Sequence, residues 1–254
     1  WGSTEGRGVT AMEDQKIMES YAQKLREVLE EKVFSKRIPY VFSSATLSIN
    51  KDFSYMAGSL GIQDYQSFSV SSPFDYEEVM KIILHHLKQI EKVQKVEDLL
   101  EEEKQTLILF KSKKAMQGFK SQIDERLTTK IGFEGDRELS SIIRDFQEGK
   151  IQVLCSYHLW EGLDLPEETL TLVIIYDLPF PPNDPLFDAK REFAEDAFGD
   201  VDLPFMLLRL QQGMGRLIRT SNDYGDIHIL LNEEEVHYKA QIEPIFAVSA
   251  DEYH

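Results

Sequence analysis

The sequence predicts an α/β fold, a mostly parallel sheet with helices on both faces, preceded by an N-terminal appendage of helix and strand. Three observations predict it. From about Gln66 onward, short apolar runs alternate with longer amphipathic stretches. Runs such as Thr106–Phe110 and Leu170–Tyr176 are apolar almost throughout, as strands buried on both faces are. With 42% hydrophobic and 29% charged residues over 254 positions, the chain can bury a substantial core. No apolar run approaches the roughly 18 residues of a membrane span, so no membrane partner is expected.

The elements follow in order. Across Met12–Phe34, the residues Ile17, Met18, Tyr21, Leu25, Val28, Leu29 and Val33 recur at steps of three and four, describing one face of a helix. Pro39–Ser44 reads as a short buried strand, and Asp52–Leu60, closing on Gly61, as a helix with a glycine cap. Strands are predicted at Ser67–Val70, Thr106–Phe110, Thr129–Phe133, Ile151–Cys155, Leu170–Tyr176 and Asp226–Leu231. Helices are predicted at Tyr76–Ile90, Lys113–Leu127, Glu138–Gln147, Pro185–Ala197 and Pro204–Leu217. No internal repeat or long linker interrupts the pattern, which gives an appendage at 1–48 and a main domain at 49–254.

Composition removes several function classes. Cys155 is the sole cysteine, so this chain alone forms no internal disulfide and no four-cysteine zinc or iron–sulfur site. A reducing, cytoplasmic setting fits that usage. Residues 1–10 lack the basic start and apolar stretch of a secretory signal, and the first methionine is Met12, as expected of a piece of a longer protein. With 28 basic against 45 acidic residues the net charge is −17, the wrong sign for nucleic-acid binding over the whole surface, though not for a local basic groove.

Three stretches could carry chemistry. In 210–219, Leu-Gln-Gln-Gly-Met-Gly-Arg-Leu-Ile-Arg, a helix would place Gln212, Arg216 and Arg219 within about 60° of one another, on one face. Gly213 and Gly215 each cost a helix roughly 1 kcal/mol, which suggests a close approach at both. Guanidinium groups suit a polyphosphate, but a basic helix end complementing the dipole is an equally good reading of the spacing. In 160–166, Trp-Glu-Gly-Leu-Asp-Leu-Pro follows a predicted strand, where Glu161, Gly162 and Asp164 could orient a water or an arginine, or simply turn the chain. In 42–47, Phe-Ser-Ser-Ala-Thr-Leu ends a predicted strand with hydroxyls that could bind or merely cap.

Taken together, these stretches resemble a known family. Ser43–Leu47 resembles helicase motif III, Thr106–Ser112 motif IV, Trp160–Pro166 motif V and Gln212–Arg219 motif VI. With the proline-rich segment Asp177–Pro185, the set is similar to the C-terminal helicase region of the DinG/XPD branch of superfamily 2, over roughly 39–231. The resemblance implies a second RecA-like motor domain, which with a first such domain would enclose ATP and Mg2+ and track single-stranded DNA in the 5′→3′ direction. By position, Arg216 and Arg219 would reach the γ-phosphate beside Gln212, and Glu161, Gly162, Asp164 and Gly215 would couple nucleotide state to DNA. Ser44, Thr46, Lys111 and Ser112 would face the DNA side, with Tyr157, Trp160 or Phe180 offering stacking surfaces and Lys113, Lys114, Lys120 and Lys130 as further cations.

The departures are informative. No Gly-x-x-x-x-Gly-Lys-[Ser/Thr] loop is present, since the only Gly-Lys, at 149–150, is followed by Ile151. Asp251–His254 matches an Asp-Glu-x-His box only at the wrong end of the chain. The chain should therefore not hydrolyse ATP alone, and its partners would be the N-terminal motor, and in some relatives exonuclease, domains of the same polypeptide. No iron–sulfur cluster is expected in this segment, since the relatives' cluster cysteines would lie upstream. His85, His86, His158, His228 and His237 show no metal-ligand spacing. Three functions stay open: half of a helicase or translocase, a nucleotide-sensing regulator of a tethered 3′→5′ exonuclease, and a non-enzymatic interaction module.

Overall fold

The computed structural model describes residues 27–36, 38–44, 47–69, 80–102, 104–160, 170–217 and 224–247. In chain order its main elements are α1 (Ser54–Leu60), β1 (Met80–His86), α2 (Glu91–Leu100), β2 (Thr106–Leu109), α3 (Lys113–Lys120), α4 (Glu125–Thr128), β3 (Ile131–Phe133), α5 (Leu139–Gln147), β4 (Val153–Ser156), β5 (Leu172–Ile175), α6 (Pro185–Phe193), α7 (Leu203–Met214), β6 (Gly225–Leu231) and α8 (Lys239–Ala247). They divide into two compact units, Trp1–Ser69 with Phe180–Leu208 and Val70–Pro179 with Arg209–His254.

In the first unit, α1 stops where Gly61 takes φ 74°, a left-handed conformation that costs glycine little, and its N–H returns to the Gly58 carbonyl. Asp184 caps α6 by accepting from the Phe187 N–H at 3.0 Å, with Pro185 supplying the preset φ of a first turn. Arg191 Nε bonds Asp202 Oδ1 at 2.9 Å, and the Phe187 and Phe205 rings meet edge-on at 4.8 Å.

The second unit holds one six-stranded, all-parallel sheet in the order β1-β6-β5-β2-β4-β3. Every residue of β2, β4 and β5 is buried, as strands covered on both faces require. Val93, Val96, Leu99 and Leu100 form the buried stripe of α2. Ser112 caps α3, accepting from the Ala115 N–H, and turns Met116 and Phe119 onto the sheet. There Phe119 meets Phe110 and Tyr176, each at a centroid distance of 5.3 Å. Large fully buried side chains of this kind each stabilise the fold by about 1.5–3 kcal/mol.

The α/β class and the parallel sheet agree with the sequence reading, and five expectations need correction. Met80–His86, inside the helix expected at Tyr76–Ile90, is strand β1, its backbone satisfied by β6 from Met80↔Gly225 to His86↔Leu231. Described residues 67–69 form no strand, nor do 38–44, where Val41 is 87% exposed instead of buried. Lys113–Leu127 is not one helix: α3 ends at Lys120, and α4 restarts behind an Asp124 cap. The helix expected at Pro204–Leu217 ends three residues early, at Met214.

Candidate functional site

In parallel sheets, ligands gather at the carboxyl ends of strands where the connections diverge. Here β2 leads towards β4 and β3 on one side, while β5 leads to β6 on the other. The segments leaving β2, β4 and β5 hold most of the described site candidates.

Trp160 organises one group. Its side chain is 0% exposed, and its indole N–H donates to the Phe110 carbonyl at 3.1 Å, tying the exit of β4 to that of β2. Gly213 of α7 lies against its ring, and the Arg209 guanidinium stands 5.6 Å from the ring centroid. Arg216 Nε then donates to the Trp160 carbonyl at 3.1 Å and to the Gln212 carbonyl at 3.3 Å. Gln212, Trp160 and Arg216 are thus brought together at the end of α7. The helix tightens as it ends, with Arg216 N–H bonding Gly213 O and Leu217 N–H bonding Met214 O.

Three expectations change here. Trp160 has no exposed ring face to stack on a base, so it acts as the packing block that seats α7 and Arg216. Of the two glycines, only Gly213 has a close neighbour: a Cβ on Gly215 would meet nothing nearer than the Gln211 carbonyl at 3.5 Å. Arg216 itself sits in the turn after α7, not on a helical face.

A second group surrounds β5. Lys92, also 0% exposed, donates to the Tyr176 carbonyl at 2.9 Å, lies 3.4 Å from Glu235 Oε2 and 3.9 Å from Asp177 Oδ1. Burial raises the Asp177 pKa, opposed by Lys92 and by Lys111, whose ammonium is 4.0 Å away. Asp177 Oδ2 has no hydrogen-bond partner among the described residues. Lys111 is half exposed, while the Ser112 hydroxyl serves as the α3 cap. A third group joins β3 to β4: buried Glu134 binds Ser156, Tyr157 and His158.

Ser44 lies in the exposed segment 38–44, and Tyr157 is half buried beside the His158 ring. Thr46, Glu161, Gly162, Asp164, Arg219 and the Asp251–His254 tetrapeptide lie outside the described residues. The sequence reading missed Lys92, Glu134 and Glu235. Lys92 had a signal, since with Val96 and Leu99 it follows the i, i+4, i+7 spacing of the apolar stripe. Among the described residues no group of three His, Cys, Asp or Glu could hold a metal ion, and no helix is long and apolar enough to cross a membrane.

Residues 96–235 match the family model described as a helicase C-terminal domain. The chain belongs to this family. Within it, the DinG/XPD-like region is the part that this chain represents. A Bacillus subtilis protein named as a probable ATP-dependent helicase, YpvA, is 49% identical over 87% of the chain and 36% of its own length. The Bacillus subtilis 3′-5′ exonuclease DinG is 32% identical over 83% of the chain and 26% of its own length. The chain therefore spans about a third or less of these curated relatives. A solved XPD helicase superposes with a TM-score of 0.61 at 17% identity, covering 81% of this chain and 40% of that one, and shares the RecA-like fold.

Proposed function

We propose that this helicase C-terminal domain is the second motor domain of an ATP-dependent 5′→3′ single-stranded-DNA translocase or helicase, with residues 49–254 as the motor domain and 1–48 as the edge of the first. The observation that carries this reading is Arg216, whose guanidinium is oriented by the Trp160 and Gln212 carbonyls at the end of α7. An oriented planar cation suits a phosphate oxygen. The described residues fit the phosphates of ATP and not its Mg2+, since they form no acidic cluster. Gln212, Arg216 and Arg219 would hold the γ-phosphate side, while the phosphate loop and the metal ligands come from the first motor domain. Bound ATP would supply the free energy of phosphoryl transfer, and the chain's own part is to stabilise charge and orient groups.

Glu161, Gly162, Asp164 and Gly215 then couple nucleotide state to the strand, and Ser44, Thr46, Lys111, Ser112 and Tyr157 face it. With a net charge of −17, strand binding depends on local cations such as Lys111, Lys113 and Lys114 and weakens steeply with salt. The isolated chain lacks the phosphate loop and is inactive on its own, and the site of action is the cytoplasm. The test is ATP hydrolysis by the full-length protein with and without single-stranded DNA. Stimulation by DNA supports a motor. Turnover indifferent to DNA favours the second reading, a nucleotide-sensing regulator of a 3′→5′ exonuclease, which the 32% identity to a protein of that name supports.

A further inference from the structure

Glu134, at the carboxyl end of β3, is buried, yet it is spent entirely on the segment leaving β4. Its Oε2 accepts from the Ser156 hydroxyl, from the Tyr157 N–H at 2.9 Å and from the His158 N–H at 3.2 Å, and its Oε1 lies 2.5 Å from His158 Nδ1. Burial, the largest influence, pushes its pKa up, but the bonds from Ser156, Tyr157 and His158 outweigh it and hold the carboxyl below its ordinary value. An ionised carboxylate only accepts, so His158 Nδ1 carries the proton.

That fixes the other edge of the ring. His158 is 68% exposed along its side chain, and Nε2 has no partner among the described residues. The Tyr157 ring stands 4.2 Å from the imidazole and restricts its rotation. Two residues on, the Trp160 carbonyl holds Arg216. The Ser156 hydroxyl and the Tyr157 and His158 backbone N–H groups already satisfy Glu134 Oε2. What the pairing adds is a directed N–H at a strand exit.

We propose that His158, oriented by Glu134, donates from Nε2 to a phosphodiester oxygen of single-stranded DNA, with Glu134 as its positioning residue. The inference rests on the single-stranded-DNA reading above. A hydrogen bond to an anionic phosphate oxygen is charge-assisted, and so stronger than one to a neutral acceptor. Tyr157 flanks the imidazole, and Lys113, Lys120 and Asp136 line the cavity of about 270 Å³ that Glu134 also lines. Asp136 already engages Lys120 at 2.6 Å.

The test is equilibrium binding of a dT oligonucleotide to the full-length protein, wild type against His158→Ala, His158→Gln and Glu134→Gln, at several salt concentrations and at pH 6.0. At pH 6.0, His158→Ala is expected to bind about tenfold more weakly, with the slope of log affinity against log salt shallower by about 0.7, the share of one single-strand phosphate. His158→Gln keeps an N–H and recovers part of the affinity but not the slope, and Glu134→Gln loses affinity in the same direction as His158→Ala. Variants that match wild type in affinity and slope, while wild type binds the strand, overturn the His158 contact and leave the motor reading standing. Variants weakened towards ATP alone assign the donor to a nucleotide phosphate and overturn it too. No strand binding by wild type overturns both.

Discussion

Gly213 rests against Trp160 so closely that a β-carbon there would stand 3.0 Å from ring carbons Cε3 and Cζ3, and 3.1 Å from Leu109 Cδ1. The missing side chain is what lets α7 approach the block that also holds Arg216.

Alanine at 213 gains about 1 kcal/mol of helix propensity and loses about 1–3 kcal/mol to overpacking against the indole. The expected outcome of Gly213→Ala is a net destabilisation of about 1 kcal/mol, a melting temperature lower by roughly 2–4 °C. Gly215→Ala, where a β-carbon makes only ordinary contacts, leaves the temperature unchanged or slightly raised. Thermal unfolding of the two variants side by side checks the contrast, and equal shifts would contradict it.

Lys92 compensates two acids that cannot reach water. Replacing it in Lys92→Met leaves Asp177 and Glu235 without their buried cation, and stability should fall by about 3–5 kcal/mol in urea titrations. Asp177 already has a raised pKa from burial, and losing Lys92 raises it further. A raised acid binds its proton more tightly folded than unfolded, so the loss is greatest at neutral pH and shrinks as pH falls through the folded-state pKa. Adding Asp177→Asn should recover part of the loss.

His228 on β6 lies with its Nδ1 2.7 Å from His85 Nε2 of β1. Burial, then the neighbouring His85, pushes the His228 pKa down to about 4 despite the opposing Asp226. The unfolded chain protonates this residue near its ordinary 6.5 and the folded chain only near 4, so between those values the unfolded state binds more protons. Stability present above pH 6.5 is lost as pH falls towards 4. Urea midpoints measured across that window should fall less steeply in His228→Leu than in wild type. Equal slopes would contradict the assignment.

The central sheet was legible because β2, β4 and β5 are short runs buried at every position, a signal contained in four consecutive residues. β1 was not, because its seven residues are half buried with no alternation, and what makes them a strand is β6, whose paired residues begin at Gly225. Residues 38–44 misled for the opposite reason: Val41 and Phe42 are strand formers left in solvent. The motifs around Trp160 and Arg216 were readable as spacing, but not the hydrogen bond between them across 56 positions. Glu134 and Lys92 act on partners 24 and 143 residues away, beyond any local pattern.

The proposed motor depends most on Arg216, so the decisive measurement is DNA-stimulated ATP hydrolysis by the full-length protein, wild type against Arg216→Ala. An arginine that stabilises the transferring phosphoryl group is worth about 10³-fold or more in rate. The account predicts a loss of that size, with ATP binding retained. A variant that hydrolyses ATP at the wild-type rate in the presence of single-stranded DNA would contradict it.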